Sequence, residues 1–176
     1  ELFLSVGSAA NAAAEPNKES ATMLRIDPDG GKREVFASGL RNTIGFDWHP
    51  VTEKFYGMDH GIDYLGDDTQ REELNELKEG KKYGWPFVYE EGRANLEDDP
   101  KETTGLSWDE YARQCEPSIL TATAHSAPMA LLFPSSNNFA KDFAGDALVT
   151  FHGSWNRSKP SGYSVMRLRF NDGKPE

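Results

Sequence analysis

The chain has 176 residues, with 29 acidic against 19 basic side chains, a formal charge of −10 and a single cysteine. That length permits one sizeable core, and the negative balance excludes a nucleic-acid backbone as partner unless a local basic stripe exists, which the sequence does not contain. Cys115 has no second cysteine to pair with, and no run approaches the roughly 18 apolar residues of a membrane span or resembles a secretory leader.

In chain order, short β-favouring runs dominate: Leu2 to Val6, Met23 to Ile26, Glu34 to Ala37, Ile44 to Trp48, Lys54 to Met58, Pro128 to Phe133, Ala147 to Phe151 and Tyr163 to Phe170. The first begins without Met, tail or cap, and the chain stops in a turn signal, so it reads as a cut segment. Asp27-Pro28-Asp29-Gly30-Gly31 and Asn171-Asp172-Gly173 combine Gly for positive φ with Asp or Asn for an Asx-turn, which predicts hairpin corners. In Ser164 to Phe170, Met166, Leu168 and Phe170 alternate with Val165, Arg167 and Arg169, the pattern of a half-buried or outer strand. Helical signal is confined to Thr69 to Leu77, where Leu74 and Leu77 lie three apart, and to Ser107 to Gln114, with a Ser cap and an acidic first turn. Asn95 to Thr104 is polar without periodicity and is predicted to be an exposed loop. Many short strands, recurrent turns and polar insertions favour an all-β sandwich or propeller over a parallel α/β sheet.

Three constellations carry possible chemistry. Arg41 and Asn42 precede a strand; a guanidinium fork and an amide can bind carboxylates or quinone oxygens, and equally a turn residue can stand beside a surface cation. Asp59 to Asp68 holds four carboxylates and two glycines in ten residues. Calcium takes six to eight oxygens from carboxylates and carbonyls, but the spacing is not that of an EF-hand, and a solvated acidic loop has the same composition. Phe151 to Arg157 puts His152, Trp155, Asn156 and Arg157 directly after a strand, where a planar anionic cofactor can stack on the indole and pair with the guanidinium. His125 sits at the entry of another β-run, as a ligand or as a packed histidine. No Gly-x-Ser-x-Gly, phosphate loop or zinc pattern is present.

Taken in order, Leu4-Ser5-Val6-Gly7-Ser8, Phe36 to Asn42, Gly66-Asp67-Asp68, Glu73-Leu74-Asn75, Tyr83-Gly84-Trp85-Pro86 and His152 to Arg157 resemble the glucose/sorbosone dehydrogenase family over nearly the whole chain. The resemblance implies a six-bladed β-propeller carrying pyrroloquinoline quinone (PQQ) and calcium. At about 40 to 50 residues per blade, three to four blades fall in residues 1–176, taken as one partial propeller domain. It implies Arg41 and Asn42 as quinone ligands, with His125, Trp155, Asn156 and Arg157 lining the same face. Gly61 and Ile62 are the implied calcium ligands through their main-chain oxygens. Thr43 and Ile62 stand where relatives often carry Pro, a change that carbonyl ligation tolerates. The implied activity is oxidation of an aldose or sugar aldehyde, with hydride passing to the quinone and electrons to an acceptor such as a cytochrome, in a periplasmic or secreted protein. The family's catalytic His falls before the segment matched by Leu4 to Ser8, and none of His49, His60, His125 and His152 matches it. The other reading is a non-catalytic propeller of the same family acting as an extracellular binding module.

Overall fold

The computed structural model describes residues 1–134, 141–171 and 173–176. Asp172, in the middle of the second predicted hairpin corner, and the residues just beyond the Pro128 to Phe133 run lie outside them. The strands are β1 (Leu2–Val6), β2 (Thr22–Ile26), β3 (Arg33–Ser38), β4 (Gly45–Trp48), β5 (Phe55–Asp59), β6 (Glu72–Glu76), β7 (Lys81–Lys82), β8 (Val88–Tyr89), β9 (Arg93–Ala94), β10 (Leu120–Ala122), β11 (Pro128–Leu132), β12 (Ala147–Phe151), β13 (Ser164–Leu168), β14 (Phe170–Asn171) and β15 (Lys174–Pro175). Two short helices, α1 (Pro100–Thr104) and α2 (Trp108–Ala112), fall between β9 and β10.

These elements form two compact units, each discontinuous in sequence. The first is Glu1–Thr43 with Lys78–Ser118; the second is Ile44–Leu77 with Ile119–Glu176.

In the first unit, β1, β2, β3 and β7 form one four-stranded sheet, antiparallel except for the β3–β7 pairing of Ala37 with Lys81 and Ser38 with Lys82. The predicted corner between β2 and β3 is present. Gly30 adopts φ +75°, its N–H donates to the Asp27 carbonyl at 2.8 Å, and the Asp29 carboxylate accepts from the Gly31 N–H at 3.0 Å. Phe87, Val88 and Tyr111 make a small core, joined by Ala14, Leu106 and Trp108. The predicted Ser107 cap of α2 is present, and it closes a full capping box with Glu110. The expected exposed loop from Asn95 to Thr104 is corrected in part. Asn95 is buried and its Nδ2 donates to the Pro86 carbonyl at 2.7 Å, while Asp99 caps α1 with Pro100 in its first turn.

In the second unit, β10, β6, β5 and β4 form an antiparallel four-stranded sheet, and β11, β12 and β13 a three-stranded one. Tyr56, Met58 and Leu74 from the first of these sheets pack with Leu131, Val149 and Phe151 of the other and with Phe133 just beyond β11. The helix expected over Thr69 to Leu77 is corrected to strand β6. Pairing with β5 places Leu74 opposite Met58 and Glu73 opposite Asp59, and packing on both faces outweighs the weak three-residue spacing of the leucines. The long strand expected over Tyr163 to Phe170 is interrupted at Arg169, and Met166 is exposed where the alternation predicted a covered face.

Candidate functional site

Arg41 and Asn42 lie in the first unit, in the turn that follows β3. The turn is held by its backbone: Leu40 N–H donates to the Ala21 carbonyl at 3.0 Å and the Arg41 carbonyl accepts from Ser8 N–H at 2.7 Å. Arg41 Nη2 donates to Asn11 Oδ1 at 2.9 Å, and the guanidinium lies 5.3 Å from the centre of the Trp85 ring. Trp85 Nε1 in turn donates to Glu15 Oε1 at 2.7 Å, and Glu15 also bonds Ser8. The Tyr83-Gly84-Trp85-Pro86 segment thus serves as the platform under Arg41.

The remaining candidates are all in the second unit. The turn after β5 is anchored by side chains from β6 and the residues before it. Gly61 N–H donates to Glu72 Oε2 at 3.1 Å and Ile62 N–H to Gln70 Oε1 at 3.1 Å. His60 Nε2 lies 2.6 Å from the Pro128 carbonyl and so carries the ring hydrogen toward it. A Cβ at Gly61 would stand 2.0 Å from the main-chain oxygen of Gln70, so this close approach requires glycine. Among the described residues no three His, Cys, Asp or Glu side chains are grouped to hold a metal. A cation at this turn would therefore rest on main-chain carbonyls.

His125 occupies a left-handed conformation, φ +64°, with Ala127 at +54° two residues on. Such backbone is uncommon away from glycine and concentrates where a side chain must be aimed. Its Nδ1 lies 3.0 Å from Asn156 Oδ1, which places the ring hydrogen on Nδ1 and leaves Nε2 as a bare acceptor. That Nε2 is buried and has no hydrogen-bond partner among the described residues. Trp155 is 77% exposed and anchored at one end, its Nε1 donating to Asp63 Oδ2 at 2.7 Å. This leaves an indole face free for stacking.

Arg157 is turned inward. Its guanidinium donates to the carbonyls of Asp67, Ala124 (3.1 Å) and Lys159 (3.1 Å), with Asp68 at 3.5 Å. It joins the acidic loop, the His125 turn and its own loop. The Asp67 carboxyl is held below its usual range by hydrogen bonds from the Ser158 hydroxyl and N–H. In this unit the structure thus brings His125 against Asn156, Trp155 against the acidic loop, and Arg157 against both that loop and the His125 turn. Gln70 and Glu72 are organising residues that the sequence reading did not single out, and Asp63, read there only as one carboxylate of the acidic loop, anchors Trp155. For Glu72 a signal existed in its place one residue before Glu73-Leu74-Asn75.

The fold is shared with solved all-β enzymes of the propeller type. The calcium structure of Trichoderma reesei Carbohydrate-Active Enzymes Family AA12 superposes with a TM-score of 0.79 at 21% identity, over 98% of this chain and 51% of that one. The holo form of the pyranose dehydrogenase PQQ domain from Coprinopsis cinerea gives 0.75 at 19% identity, over 99% of this chain and 51% of that one. A protein of Borreliella burgdorferi is 36% identical over 172 residues, covering 96% of this chain and 42% of that protein. The chain thus spans about half the length, or less, of the proteins it matches. The chain belongs to the TrAA12-like family, whose model matches residues 28–176. No helix among the described residues is long and apolar enough to cross a membrane.

Proposed function

We propose that the chain is part of an oxidoreductase that uses PQQ and calcium to oxidise an aldose or sugar aldehyde, passing electrons to an external acceptor such as a cytochrome in a periplasmic or secreted setting. The observation that carries this reading is the clustering, within one unit, of three elements: the Gly61–Ile62 turn, the buried bare Nε2 of His125 and the Trp155–Arg157 loop. Family membership and the neighbours, one a calcium structure and one a PQQ domain, support it.

The residues present fit the two groups. At the Gly61–Ile62 turn the main chain offers carbonyl oxygens, hard donors of the kind calcium takes, and the turn is fixed by hydrogen bonds from its own N–H groups to Glu72 and Gln70. Toward a planar acidic quinone the second unit offers the exposed Trp155 face and the His125 acceptor; the first unit by itself offers the Arg41 guanidinium and the Asn42 amide, donors of the kind that bind carboxylate or quinone oxygens. When bound, the quinone supplies the hydride acceptor, and calcium polarises its oxygens. The protein's part is orientation. Asn156 fixes the His125 tautomer, Arg157 locks the loops that carry His125 and Asp67, and Asp63 holds the Trp155 ring in place.

The test is titration of PQQ into the full-length protein with and without calcium, following quinone absorbance and then its bleaching on adding an aldose. Calcium-dependent binding with bleaching is the expected result. Absence of binding in both conditions overturns the enzyme and leaves a propeller used for recognition.

A further inference from the structure

The Gly61–Ile62 turn is held by two side chains whose role the functional reading leaves open. In a trans peptide the C=O and N–H of one plane point in opposite directions. The Ile62 N–H is directed at Gln70 Oε1, so the Gly61 carbonyl of that same plane points away from the Gln70 side chain. The Gly61 N–H is directed at Glu72 Oε2, which fixes the preceding plane and the His60 carbonyl in the same manner. Rotation of either plane would strand a hydrogen-bonding group, because Gln70 and Glu72 are both only 2% exposed and water cannot take over the lost bond. The contact is also steric, since Gly61 presses directly on the main-chain carbonyl of Gln70. Gln70 Nε2, buried, has no partner among the described residues, so the amide is anchored through its oxygen.

Glu72 does more than hold one plane. Its Oε1 accepts from the Ala127 N–H at 2.9 Å, two residues beyond His125, while Oε2 holds Gly61. One buried carboxylate therefore ties the Gly61–Ile62 turn to the turn that aims His125, and the His60–Pro128 hydrogen bond makes a second tie between the same segments.

We propose that Gln70 and Glu72 are positioning residues for a divalent cation at this turn. Gln70 aims the Gly61 carbonyl, and Glu72 couples the cation turn to the His125 turn. The inference rests on the calcium reading above. Groups that hold a metal's ligands without touching the metal typically change affinity by about 10- to 100-fold when altered.

The experiment is calcium titration of the full-length protein by calorimetry, without quinone, comparing wild type with Gln70→Met and Glu72→Gln. The thermal midpoint of each is recorded in chelator. Gln70→Met keeps the side-chain length and removes the acceptor; Glu72→Gln keeps the shape and one acceptor, and serves alone if the first variant does not fold. The expected result is calcium binding weakened about tenfold or more in each folded variant. A lower midpoint in chelator with wild-type calcium affinity would mean that the two residues only support the fold, and overturns the positioning role while leaving the calcium reading intact. A wild-type protein that binds no calcium overturns both.

Discussion

The two four-stranded sheets have the same strand count and opposite surroundings. In the first unit β1 alternates, with Leu2 54% and Leu4 49% exposed, and charged residues of that sheet meet in partly exposed ion pairs such as Arg25 with Glu34 and Glu79. In the second unit β5 is buried at every position and β6 at its first four. A strand covered on both faces has no solvent side for its polar residues, so Asp59, Glu72, Glu73 and Asn75 are all buried and must be satisfied inside the protein. Exposed pairs of the first kind are screened by solvent and contribute little. The buried groups of the second kind decide where loops go, and the His60–Ile62 and His125–Ala127 turns are arranged around one of them.

The largest expected effect tests burial itself. Leu74→Ala, in the core of the second unit, should cost about 2 to 5 kcal/mol in denaturant unfolding, and Leu4→Ala in the first less than about 1 kcal/mol. Equal costs would contradict the contrast between the sheets. Next in size are two glycines required for different reasons. Gly30 is open to solvent with nothing near its missing Cβ and needs only its left-handed φ, whereas Gly61 is blocked by the Gln70 backbone. Gly61→Ala should cost about 1 to 3 kcal/mol through overpacking. Asn, which tolerates the left-handed region, should largely preserve stability at 30 and fail at 61.

The smallest effect is a slope. All four histidines belong to the second unit, and burial holds the imidazole of His49 below its ordinary 6.5. Its Nδ1 accepts from the N–H groups of Val51 and Thr52, which also suits the neutral ring. Between the lowered folded value and 6.5 the unfolded chain binds the proton more readily, so stability falls as pH drops through that window. His49→Asn should flatten that part of the curve in pH-dependent unfolding.

Much of this contrast was legible from residues, and its origin was not. Alternation and turn chemistry locate β1, β3, β12 and the Asp27–Gly31 corner because those features are local. The same reasoning misreads Thr69 to Leu77, since a strand buried on both faces has no alternation to display and Glu72-Glu73 suggests solvent. Asn95 to Thr104 misled for the reverse reason. Its polar composition concealed a buried amide and a capped helix, although Asp99-Pro100 carried a capping signal. Arg157 was legible as a residue of the site, but its bonds to carbonyls 33 and 90 positions away depend on tertiary placement.

The interleaving of the two units bears on how the chain acquires its structure. The first unit's opening segment ends at Thr43, and its sheet is completed by β7 only after the intervening 44–77 segment has been made. A nascent chain stopped at Leu77 has β1, β2 and β3 but lacks Tyr83, whose N–H bonds the Ser38 carbonyl, and Trp85, on which Arg41 rests. Pairings that close such long loops are slow to form. Closure of the first unit thus waits until the Lys78–Ser118 segment has been made, and the Arg41 turn is completed only once Trp85 has followed it.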